Sequence, residues 1–184
     1  RKTVVDLYCR PEDEASQCAI IVAAETIALF GDGVQARMFF LGDGFSAAVA
    51  TDPMALFKAE ATVMRKRNRP LSEAAALLAC ITDATDEFAA FQCLERRQTL
   101  ETEKPIAPDF SEDAYREIEL NVQSAPALYI NNALFTAELT REALLKALCG
   151  SAGAASTAEI CNQAPECASD ADCRKAGKVG RCVA

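Results

Sequence analysis

The segment TVVDLYCRPEDEASQCAIIVAAETIALFG (residues 3–31) changes character part-way along its length. TVVDLY is short and rich in β-branched and apolar residues, which predicts a buried strand. From Asp13 onward acidic residues fill a first turn and Gly31 stands just past the end, which predicts a helix. Cys9 closes the strand and Cys18 lies inside the helix. A cysteine at a helix N-terminus is where a thiolate is favoured, and a redox dithiol adds a second thiol two residues on to resolve the mixed disulfide. Here Glu12 holds that second position, with Asp13 and Glu14 behind it. Three carboxylates oppose thiolate formation and work against the helix dipole. The stretch therefore predicts a structural Cys9–Cys18 disulfide, with Cys9 as a monothiol catalyst the alternative.

Beyond Gly31, VQARMFF (34–40) is a second strand candidate. TDPMALFKAEATVMRKR (51–67) predicts a helix with Asp52 as N-cap and Pro53 at its first position. LSEAAALLAC (71–80), capped by Ser72, and DEFAAFQCLERRQ (86–98) predict two more. ITDATD between them is short enough to make an αα-hairpin that brings Cys80 to Cys93 as a disulfide. KPIAPDF (104–110) is a Pro-punctuated loop, and Ser111 caps EDAYREIELNV (112–122). The period then changes. APALYI (125–130) predicts a strand, Asn131-Asn132 a turn tolerant of positive φ, and ALFTA (133–137) an antiparallel partner. Thr140 caps REALLKALC (141–149), with Leu139 and Leu144 as a hydrophobic staple and Gly150 as the stop.

The 184-residue chain is 51% hydrophobic, enough for one cored domain and a small appendage. SAGAASTAE (151–159) opens a linker over 151–160, and residues 161–184 hold four cysteines with almost no large apolar residue. Cross-links must hold such a tail. Its spacing suggests Cys161 with Cys173 and Cys167 with Cys182, an interleaved EGF-like order among three possible connectivities. Cys149 is then left unpaired, to be buried, reactive or intermolecular.

Composition excludes several functions. There is no histidine, which removes Ser-His and Cys-His nucleophiles and His-containing zinc sites. No C-x2-C spacing of a zinc ribbon occurs, and SDAD in the tail lacks a calcium-loop pattern, so no metal or cofactor is expected. The formal charge of −8 argues against nucleic acid as a partner. MRKRNRP (64–70) runs against that charge. It reads as a basic helix C-terminus halted by Pro70, with an anion patch or processing site as alternatives. CAIIVAAETIALF is too short and interrupted to span a membrane. The nine cysteines point to a secreted, extracellular, periplasmic or endomembrane-lumenal setting. No N-glycosylation sequon is present. No signal peptide is visible and the chain opens on Arg1, which suggests a processed or excised segment.

The order strand-helix-strand, helical block, hairpin, helix resembles the thioredoxin fold. The expected architecture is an α/β thioredoxin-like domain (1–150) with a helical insert at about 51–122. The EGF-like tail follows it. In thioredoxin-type proteins a cis-proline precedes the strand facing the redox cysteines, and Pro126, preceded by Ala125, stands at that place. Such a turn leaves backbone free to pair with an extended polypeptide, so Ala125 and Pro126 are the candidate binding residues. The first half is also reminiscent of periplasmic disulfide oxidoreductases without their second active-site cysteine.

PALYINNALFTAELTREALLKALC, followed by the Cys-rich tail, resembles the lumenal region of plant-type vacuolar sorting receptors. Pro126, Ile130, Asn131, Asn132, Ala133, Phe135, Leu139, Leu145, Lys146, Ala147 and Cys149 fit that pattern. The helical pair with Cys80 and Cys93 fits it more loosely. The resemblance implies a receptor that binds sorting signals in the endomembrane lumen, and carries over no ligand-binding residues. The expected function is a non-catalytic, disulfide-stabilised module that binds a polypeptide ligand or partner subunit. The alternatives are a thiol-disulfide oxidoreductase or isomerase using Cys9, and an architectural subunit of an extracellular complex.

Overall fold

The computed structural model describes residues 2–41, 52–99, 109–151 and 161. Strands β1 (Thr3–Cys9), β2 (Val34–Phe40), β3 (Ala127–Ile130) and β4 (Ala133–Leu134) form one sheet in the order β2-β1-β3-β4. β1 runs parallel to β2 and antiparallel to β3, and β3 is antiparallel to β4. Six helices are described: α1 (Glu14–Ala28), α2 (Pro53–Lys66), α3 (Leu71–Thr82), α4 (Glu87–Thr99), α5 (Ser111–Glu119) and α6 (Arg141–Gly150). Helices α2 to α5 all lie between β2 and β3 in the chain. This is an α/β fold with a mixed sheet.

Strand alternation assigns the two faces. Val5, Leu7 and Cys9 share one face with Val34, Met38, Phe40 and Leu128, and this face carries the main core. Helices α1, α3 and α6 cover it through Ile20, Leu78, Leu144 and Leu148, each at most 1% exposed. Tyr8, Phe39 and Tyr129 point to the opposite face and form a smaller cluster with Leu41 and Val122. Helix α5 lies on this second face. Helix α2 straddles the outer margin of β2. Its Phe57 ring meets Phe40 edge-on, while the Arg65 guanidinium sits 4.4 Å from the centroid of Phe39.

Local chemistry sets most of the element ends. Asp52 accepts from the Met54 and Ala55 amides with Pro53 at the first helical position, and Thr140 accepts from the Ala143 amide. Asn131 and Asn132 take positive φ in the hairpin turn, and the Asn131 carboxamide accepts from the Val4 amide. Two caps differ from expectation. Pro70, not Ser72, precedes α3, and Asp109, not Ser111, serves α5 by accepting from the Ser111 amide at 3.0 Å.

The hydrogen bonds from Ser111 hold the Asp109 carboxyl at a pKa of about 2, below its ordinary 3.8. A depressed carboxyl stabilises the fold above its ordinary pKa, and that contribution is lost as pH falls through the folded value. The Asp109–Ser111 cap is therefore expected to survive from neutral pH down past 3.8 and to open near 2. An NMR titration of the Asp109 carboxyl carbon checks this, and a midpoint at the ordinary value would count against it.

Cys80 and Cys93 are joined by a disulfide between α3 and α4, the pairing the short connection predicts. Cys149 is not unpaired. It is bonded to Cys161 across a separation of 12 residues, so the Cys161–Cys173 pairing is corrected. Position explains it: Cys149 lies in the last turn of α6, and its Cα is 5.5 Å from that of Cys161. Cys173 and the Cys167–Cys182 pair lie outside the described residues, as does the rest of the tail. The two disulfides point to an oxidising compartment. Among the described residues no helix is long and apolar enough to cross a membrane.

Candidate functional site

Cys9 and Cys18 are both free thiols, which corrects the expected disulfide. Direction is the cause. The strand runs one residue beyond TVVDLY, so Cys9 continues the inward series of Val5 and Leu7 and is 0% exposed. Its Sγ donates to the Phe39 carbonyl at 3.6 Å. The loop that would have to fold back is fixed. The Arg10 amide donates to Ser16 Oγ at 3.0 Å, Gln17 Nε2 donates to the Pro11 carbonyl at 2.9 Å, and Ser16 is itself fully buried. Cys18 is half-buried on α1.

Burial pushes the Cys9 thiol far above its usual range. The Asp113 and Glu12 carboxylates push the same way, with Lys58 opposing. Glu12, at the position a resolving thiol would take, is ion-paired to Lys58 of α2. The Cys9 thiol is thus enclosed at this end of β1.

Ala125 and Pro126 are half-buried, and the bond between them is cis. Tyr8 pairs with Ala127 in the β1–β3 ladder, so Cys9 and Pro126 come at the same end of the sheet. Pro126 borders a groove of about 280 Å³ with Leu134, Phe135 and Leu139. Leu134, on the two-residue edge strand β4, is 53% exposed. Apart from Ser124 the side chains lining this groove are apolar, its polar surface is nearly as large as its apolar surface, and it lies open along a sheet edge.

The sequence reading missed the charged layer behind the second face. Asp6, 1% exposed, faces Arg37 in the parallel register. It accepts from Arg37 at 2.7 and 2.8 Å and from Arg116 of α5 at 3.1 Å. Asp113 of α5 accepts from the Phe40 amide at 2.7 Å and from both terminal nitrogens of Arg65, at 3.0 and 2.7 Å. Arg65 also donates to the Met38 carbonyl at 2.7 Å. MRKRNRP does form the basic end of α2, but Arg65 is turned inward there, its side chain 5% exposed. The one signal was Asp6 itself, a carboxylate inside a run otherwise made for burial.

Among the described residues no cluster of cysteines and carboxylates is arranged to hold a metal ion. No family model, no curated protein and no solved structure matches the chain. The likeness to sorting receptors stands on the quoted residues alone.

Proposed function

We propose that the chain is a thioredoxin-like module without a working dithiol. Held by disulfides, it binds polypeptide as part of a secreted or lumenal receptor or assembly. The strand order, with one parallel and one antiparallel neighbour flanking β1 and a proline heading β3, supports the fold reading. The observation that carries the function is the inward Cys9, fully buried and with Glu12 in place of a resolving thiol. A thiol that must leave the core before it can ionise is poorly suited to exchange. What remains at that end of the sheet is the groove beside Pro126, lined mainly by apolar side chains and bounded by an exposed edge strand that suits an extended chain.

Reduced, carboxymethylated α-lactalbumin is a suitable unfolded probe. It is expected to bind the native chain with micromolar to millimolar affinity and to protect the outward Leu134 amide from exchange, the Phe135 amide being already bonded to the Leu128 carbonyl. Leu134→Asp, at an exposed position that should leave folding intact, is expected to weaken binding about tenfold by charging the apolar wall. Acceleration of insulin reduction by dithiothreitol, dependent on Cys9, would instead establish the oxidoreductase reading.

A further inference from the structure

β2 is an edge strand, and its two halves are treated differently. On the inner side the Leu41 amide bonds to the Cys9 carbonyl, so Gln35, Arg37 and Phe39 direct their main-chain groups toward β1. By alternation Val34, Ala36, Met38 and Phe40 direct theirs outward. The carboxy-terminal part of this outer edge is closed by side chains. Arg65 occupies the Met38 carbonyl, and Asp113 occupies the Phe40 amide. Such blocking is a recognised way to protect an edge. The amino-terminal part carries no such block. The outward carbonyl of Val34, both main-chain groups of Ala36 and the amide of Met38 have no partner among the described residues.

This open part borders a groove of about 660 Å³ between the ends of α1 and α2 and the start of α3. Its two walls differ. On the core side lie Ala24 and Ile27 of α1 and Leu71 of α3. On the opposite side lie Lys2, Gln35 and Arg37. Arg37 is 25% exposed, whereas its partner Asp6 is 1% exposed behind it, so the cation faces the groove. Lys2 is exposed and has no acidic partner among the described residues, and Asp32 is the one carboxylate lining the groove. On a chain of net charge −8 this is a local reversal of sign.

We propose that the Val34–Met38 edge of β2 receives an extended segment of a partner polypeptide in which apolar and acidic side chains alternate. Only an extended backbone presents donors and acceptors at the spacing the open edge requires. The two walls then dictate the alternation, with apolar side chains toward Ile27 and Leu71 and carboxylates toward Lys2 and Arg37. A second copy of the chain is disfavoured as occupant, because two β2 edges would bring their Arg37 and Lys2 cations together. The site shares with the proposed function only a polypeptide ligand, and it stands if the Pro126 groove binds nothing.

The test uses the full chain, isotope-labelled, with the capped hexapeptide acetyl-Asp-Val-Asp-Val-Asp-Val-amide. Saturable shifts are expected at the Ala36 and Met38 amides and not at Leu134 and Phe135, which separates this site from the Pro126 groove. A peptide with lysine in place of aspartate is expected not to bind. Ala36→Pro removes only an outward amide, which an edge strand tolerates, and is expected to abolish binding. Lys2→Glu, at an exposed unpaired position, is expected to weaken it about fivefold and carries the test if the proline variant does not fold. Unshifted Ala36 and Met38 amides at millimolar peptide would overturn the proposal. So would equal binding of the lysine peptide, or a dimer of the chain that Ala36→Pro dissociates.

Discussion

Replacing Asp113 by alanine is expected to remove about 3–5 kcal/mol of stability, the range for breaking one side of a buried ion pair. Three donors lose their acceptor at once. The Phe40 amide is left unpaired inside the sheet margin, Arg65 Nη2 keeps only the longer contact to Glu112 at 3.4 Å, and Nη1 keeps only the Met38 carbonyl. Arg65 cannot escape to solvent easily, because its guanidinium lies over Phe39 and donates to the Met38 carbonyl. Asp113→Asn should fall between the two, retaining an acceptor for Phe40 while losing the charge. The pair Arg65→Met with Asp113→Leu should recover the part of the loss due to the stranded Arg65 charge, while the Phe40 amide stays unpaired. Urea unfolding of the wild type, Arg65→Met, Asp113→Leu and their combination forms a double-mutant cycle. A loss below about 1 kcal/mol for Asp113→Ala would mean that the pair is solvated and unimportant.

The second large effect concerns the clip between α3 and α4. Cys80→Ala with Cys93→Ala is expected to lower stability by about 3 kcal/mol, from the loop-closure entropy of a separation near fifteen residues. The sequence separation here is 13. Cys93 is buried beside Leu94 and Ala90, so its replacement adds a small packing loss, while the exposed Cys80 adds little. The double variant in oxidising buffer separates this bond from Cys149–Cys161, which a reductant would open as well. Unchanged unfolding midpoints would show that helix packing alone holds the hairpin.

The elements that could be read from the chain are those set by neighbours in sequence. The β1–α1–β2 unit follows from local pattern, as do the Asp52-Pro53 start of α2, the paired asparagines of the hairpin and the Thr140 cap. Each depends on contacts within a few residues. The fate of Cys9 turned on a single residue of strand length. Ending β1 at Tyr8 leaves the thiol at a helix N-terminus, whereas ending it at Cys9 turns the thiol into the core. Strand ends are the least legible feature of a sequence, and here one decides which way the Cys9 thiol points. Asp6–Arg37 and Asp113–Arg65 join residues 31 and 48 apart, so no periodicity announces them. The Cys149–Cys161 bond was close in sequence but hidden by a tail whose four cysteines look complete among themselves.

Everything about the candidate site follows from the Cys9 sulfur being held inside the molecule. Alkylation of the native, non-reduced chain with iodoacetamide, followed by peptide mass spectrometry, measures this directly. The account predicts that Cys18 is labelled well before Cys9. Cys9 should react on the order of a thousandfold or more slowly than in urea, because it becomes accessible only when the core opens. Labelling of Cys9 in the native protein at the rate of a solvent-exposed thiol, with a mixed disulfide trapped there by a model substrate, would contradict it.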